Sequence, residues 1–162
     1  MKNLRLLHSL FLILTSTWLG WTILTDFFVV PTVFRTIDQY FLAGELGIAV
    51  FTRLNGLELM VSSALVVITL LLVRSDKKSW PLLGLSLLGW GLIVFYFSFL
   101  TPRITELTQQ WEAVELGKLR SVIDLQQEHQ YYHQLYIVLD TTKLLILSCM
   151  IGIALYRDRK SA

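Results

Sequence analysis

Acidic and basic side chains stand inside stretches of this chain that are otherwise apolar enough for lipid. Glu58 precedes 15 uncharged residues, Leu59 to Val73, and Lys143 precedes 13, Leu144 to Tyr156. A membrane-crossing helix needs about 20 predominantly apolar residues. Counted back from Arg74 and Arg157, the two crossings are complete only if one takes in Asn55 and Glu58 and the other Asp140 and Lys143. Ionisable groups at that depth are costly and read by default as a functional site with a partner.

The spacing says which of these groups can meet. On a helix, positions 129, 133, 136, 140 and 143 advance by steps of four and three, so their side chains form one ridge. They are His129, His133, Tyr136, Asp140 and Lys143. With a membrane boundary near Ile137, Lys143 lies about 9 Å into the apolar layer. Asn55, Glu58 and Ser62 form a second ridge, and Thr15, Thr22 and Asp26 a third. Turned inward together, these faces cluster Asp26, Glu58, His133, Asp140 and Lys143 in one half of a bundle, with Arg35 and Arg53 near its rim. One lysine against three acids leaves an excess of negative charge. An arginine folds in, a carboxylate takes up a proton, or a cation binds.

Other chemistries are weaker. His129 and His133 have i,i+4 spacing suited to a metal, but no third Cys or His lies nearby. Haem between helices would need histidines at matched depth, and His8 and His133 fall at opposite ends. No cofactor is expected. The single cysteine, Cys149, excludes an intramolecular disulfide and Cys-pair redox chemistry. Neither G-x-S-x-G nor H-E-x-x-H occurs. His133 as a base oriented by Asp140 would span seven residues, about 10 Å along the axis, so an enzyme is not expected. The plain structural reading stays open: buried ion pairs between Asp140, Lys143 and Glu58 can fix helix register without touching a ligand. Trp18, Trp21, Trp80, Trp90, Phe95, Tyr96 and Phe97 read as packing and interfacial anchors. Gly84, Gly89 and Gly91, with Ser86, read as sites of close helix approach.

The elements that must position these groups follow from composition. Of 162 residues, 54% are hydrophobic and 16% charged, with mean hydropathy +0.60. That is the membrane class. Leu6 to Thr25 and Trp80 to Thr101 add two further runs without Asp, Glu, Lys or Arg. The expected architecture is all-α: a single four-span transmembrane bundle, with spans at 4–30, 47–73, 80–100 and 132–156. Pro31 biases Val30 away from helix and ends the first span. A short amphipathic segment, 31–46, follows on the outer surface, with a sharp turn at Ala43-Gly44. Thr101-Pro102 reads as a helix restart with Thr as N-cap. It opens an extramembrane helical hairpin, 102–131, that is broken at Gly117 and extends spans three and four.

Lys2 and Arg5 precede the first apolar run as in a signal peptide, but no small-x-small site ends it, so an uncleaved span is expected. Lys2, Arg5, Arg74, Lys77, Lys78, Arg157, Arg159 and Lys160 fall on one side. Arg35, Arg53, Arg103, Lys118 and Arg120, interspersed with acids, fall on the other. The positive-inside rule then places both termini in the cytoplasm. A net charge of +2 without basic runs offers nothing to nucleic acid.

One pattern is familiar. Asp26-x4-Pro31-x2-Phe34-Arg35, then Ala43-Gly44, then Phe51-x-Arg53, with an acid in the next span, resembles the bacterial domain of unknown function 4149 family. That family is similar to the eukaryotic transmembrane-205-like proteins. The resemblance covers the first two spans best and the histidine-bearing fourth more loosely. It implies a small four-span membrane protein without an established activity. The residues themselves point to a bilayer protein that binds or passes a small solute or ion at its polar cluster. The alternative is a structural protein whose charges only set packing and whose outer hairpin docks a protein partner.

Overall fold

A computed structural model describes residues 2–38, 40–115 and 122–161. Every regular element among them is helical. Helix α1 (Lys2–Leu24) passes through a π-helical turn (Thr25–Val29) into α2 (Val30–Thr36). Helix α3 (Tyr40–Ser75) is joined by a 3-10 turn (Lys77–Ser79) to α4 (Trp80–Phe95). A second π turn (Tyr96–Leu100) leads into α5 (Thr101–Glu115), and α6 (Val122–Ser161) completes the bundle. Four helical stretches are long and apolar enough to cross a membrane: Leu4–Thr36, Leu42–Ser75, Lys77–Gln110 and Gln130–Arg159. Large apolar side chains such as Ile13, Met60, Leu88 and Leu145 face outward. Helices with such a surface satisfy their own backbone groups and are stable against lipid. The chain is a multi-pass integral membrane protein.

Helices α1, α3, α4 and α6 pack as a ring, each against its two neighbours, and α5 lies along α6 and α3. Long side chains bridge the diagonals. Trp18 of α1 reaches Gly89 of α4, where an added Cβ would sit 3.6 Å from the indole. Lys143 of α6 reaches Glu58 of α3. Phe11, Leu65, Leu82, Ile93, Leu147 and Met150 fill the remaining core. Ser86 and Gly89 are buried as expected, whereas Gly84 and Gly91 face outward with nothing near the Cβ position.

Pro31 and Pro102 do not break the chain where the sequence suggests. In a regular helix the ring of Pro31 would crowd the carbonyl of Phe27, four residues back. The π turn removes that conflict, because the Val30 N–H donates five residues back to Thr25 O. Thr101 likewise donates from its N–H to Tyr96 O immediately before Pro102. Span one therefore continues to Thr36 rather than stopping at residue 30. Thr101 is helical (φ −64, ψ −47) rather than an N-cap. The chain leaves helix instead at Ile37, which is extended (φ −97, ψ 107). The expected surface segment at 31–46 is thus divided between α2 and the start of α3. Ala43-Gly44 is helix, not turn. Gly44 and Gly47 serve close approach: Cβ positions there would lie 3.7 Å from Thr108 Cγ2 and 3.9 Å from the Phe34 ring.

The hairpin does extend spans three and four, since α5 follows α4 through the π turn and α6 runs for 40 residues. At 1.5 Å per residue α6 is about 60 Å long, twice a typical hydrocarbon layer. Arg103 braces the two arms, pairing with Glu106 at 2.6 Å and with Glu128 on α6, and lying 5.9 Å from the Tyr132 ring centroid. The expected break at Gly117 lies outside the described residues. At the opposite end of the bundle, Arg157 pairs with Asp76 and donates to Ser79 Oγ at 2.9 Å. That contact ties the end of α6 to the α3–α4 link.

Candidate functional site

Four helices carry polar side chains to one level of the bundle. Glu58 is 0% exposed, Lys143 1% and Asp140 5%. Three donors converge on a single carboxylate oxygen, Glu58 Oε1: Lys143 Nζ at 3.0 Å, Trp18 Nε1 at 2.9 Å and Thr22 Oγ1 at 3.1 Å. Its Oε2 is buried without a hydrogen bond. Lys143 also forms an ion pair with Asp140 Oδ1 at 2.5 Å. The Tyr96 ring covers the ammonium, with its centroid 5.5 Å from Nζ. Tyr96 stacks on Tyr136 at 5.4 Å, and Tyr136 meets Phe51 edge-on at 5.1 Å.

Asp26 enters from the first π turn and lies directly against Asp140. π turns inside helices recur at functional sites because they re-aim side chains out of helical phase. A cavity of about 470 Å³ opens beside these two carboxyl groups. Its walls come from the first π turn, α2, α3, α5 and α6, among them Phe27, Val30, Phe34, Phe51, Ile104 and Leu144. Its polar lining includes His133, Tyr136 and several threonines. Among the lining threonines, Thr105, Thr108 and Thr141 each donate their hydroxyl to the carbonyl four residues back.

Most of the expected residues assemble. His133, Tyr136 and Asp140 line the cavity, while Lys143, on the same ridge, turns to Glu58. Asn55 is buried one turn from Glu58, but its Nδ2 donates to Thr101 Oγ1 at 2.7 Å and it borders a second cavity. That cavity, of about 460 Å³, shares Ile48, Thr101 and Thr105 with the first. Arg35 and Arg53 have exposed side chains and do not line either cavity, so neither folds in to balance the acids. The His129 side chain lies outside the described residues. Among the described residues no group of three His, Cys, Asp or Glu is placed to hold a metal.

Two members of the site, Trp18 and Tyr96, read in the sequence as packing and interfacial anchors. Trp18 falls on the ridge of Thr15, Thr22 and Asp26, at steps of three and four, and that register is the signal for its role. Tyr96 sits on the buried face of Ser86, Gly89 and Ile93 at the same steps. Thr15 and Ser62, by contrast, spend their hydroxyls on their own helices, at Phe11 O and Leu59 O.

No curated protein and no solved structure matches the chain. A family model does match, over residues 13–113, which runs from α1 through α5 and so takes in the third span as well as the first two, ending before α6. The chain belongs to the family described as domain of unknown function DUF4149.

Proposed function

We propose that the protein binds, or passes, a small solute or ion at the cavity floored by Asp26 and Asp140. The observation that carries this reading is the charge balance around it. Asp26 meets Asp140 at the cavity, and the one buried lysine is held by Glu58 as well as by Asp140. Two carboxyl groups in contact and away from bulk water do not both carry charge without a countercharge. A cationic ligand supplies that countercharge, and a shared proton is the competing solution. The test is thermal unfolding of the detergent-solubilised protein titrated with sodium, potassium, magnesium and calcium chlorides and with small solutes. A rise in Tm with a given ion or solute, lost in Asp140→Asn, is expected. No shift with any of them overturns the reading.

A second reading is favoured by the saturation of Glu58 Oε1 with donors, the pattern of a helix-aligning brace. In that reading the whole cluster is structural, and the hairpin of α5 and α6 docks a protein partner. Photo-crosslinking from Gln109 on α5 separates the two, since a partner would give a crosslinked species. We further read the protein as a binding protein rather than an enzyme, because the lining threonines named above are engaged with backbone carbonyls. The lysine and arginine distribution supports cytoplasmic termini, and the resemblance to a bacterial family supports a bacterial inner membrane as their setting. A likeness to the eukaryotic transmembrane-205-like proteins would come only through the family's similarity to them.

A further inference from the structure

We infer that the ligand of this cavity is a hydrophobic amine, with one ammonium group seated against the adjoining Asp26 and Asp140 and an apolar body along the helix walls. The inference rests on the solute-binding reading above and names its chemical class. The floor supplies acceptors in need of donors. Asp26 Oδ2 is buried with no hydrogen bond, and so is the Tyr136 hydroxyl beside it. Asp140 is 5% exposed, faces the cavity, and holds Lys143 only through an ion pair. An ammonium brings three N–H donors and one positive charge, which matches two carboxyl groups and a hydroxyl.

The same lining argues against other classes. Among the described residues no lysine or arginine lines the cavity, so an anion would meet carboxylates without a countercharge there. A divalent ion such as calcium takes six to eight oxygen ligands, and the described residues offer no group of three His, Cys, Asp or Glu. The remaining walls are apolar and aromatic, at Phe27, Val30, Phe34, Phe51, Ile104 and Leu144. They fit the body of a small organic molecule, and ring faces attract a cation in addition. The volume falls within the range of about 300–1,000 Å³ typical of small-molecule pockets.

Three probes of one shape test the inference: 4-phenylbutylamine, 4-phenylbutanol and 4-phenylbutanoate, each titrated into the purified protein while Tm is followed. The amine is expected to raise Tm by several degrees, the alcohol less, and the carboxylate not at all. In Asp26→Asn the apparent affinity for the amine falls about tenfold or more, the equivalent of one lost charge-assisted contact. Because Asp140 also contacts Lys143, Gly47→Leu is the companion variant: it fills the cavity beside Phe34 without altering a charge. It should keep its helical circular dichroism and lose the response to the amine. A full response in Gly47→Leu overturns the inference, since the amine would then be partitioning elsewhere. Equal stabilisation by amine and alcohol overturns the ammonium seat but leaves a solute cavity in place. No response to the amine also overturns it, while the salt and solute titration above decides the broader reading separately.

Discussion

The polar cluster has two sides that differ in how their carboxylates are served. On the Glu58 side, three donors from two other helices meet one oxygen, and no residue of that set lines the cavity. On the Asp26 side, two carboxyl groups adjoin at the cavity floor with a single ion pair between them and the rest of the protein. The first arrangement is what a bundle needs to fix rotation and register, because a buried charge is tolerated only with good partners. The second is served more thinly: Asp140 has the Lys143 ion pair, and Asp26 Oδ2 is buried without a hydrogen bond beside open space. The lesson is that buried charge in a membrane bundle is not one category. Where the donors are decides whether a carboxylate holds helices together or is available to a ligand.

Lys143→Leu should produce the largest effect. It leaves Glu58 and Asp140 without their cation, and breaking a buried pair this way costs about 3–5 kcal/mol. A chemical unfolding titration in mixed micelles should show that loss, and Lys143→Leu combined with Glu58→Leu should recover much of it. If the single variant is as stable as the wild type, the Glu58 side is not a brace. Trp18→Phe comes next. It keeps the ring against Gly89 but deletes one hydrogen bond to a charged group, for about 1.5–3 kcal/mol. The same titration reads it.

Asn55→Leu removes the bond to Thr101 that joins α3 to the start of α5, and a loss of about 1 kcal/mol is expected. It should leave the contrast between the two sides untouched, which makes it the internal control. Asp26→Asn should do least to stability and could even raise Tm, because it removes one of two adjoining negative charges. A penalty for Asp26→Asn as large as that for Glu58→Gln would erase the distinction drawn here, and would return both sides to a single structural role.

The sequence revealed the depth of the charges better than their partners. Too few apolar residues follow Glu58 and Lys143 for a full crossing, and that count needs no tertiary information. The same helical register put Asp26, Glu58, Asp140 and Lys143 together at one end. Arg35 and Arg53 were expected at the rim, but an exposed arginine on a helix surface and one folded inward look alike in a linear chain. Trp18 was hidden for a different reason: an indole in a membrane span has packing and interfacial roles so common that its N–H attracts little notice.

Length of greasy chain, cost of buried charge and the phase of a helix are local properties, and these determined the four crossings, the all-α class and the existence of a polar cluster. Tertiary structure decided the rest. Whether Pro31 and Pro102 end a helix or ride on a π turn depends on what packs around the widened backbone. Which carboxylate collects the donors depends on how far each helix is rotated against its neighbours in the ring. A cavity is the space those rotations leave unfilled, and no single segment of the chain contains it.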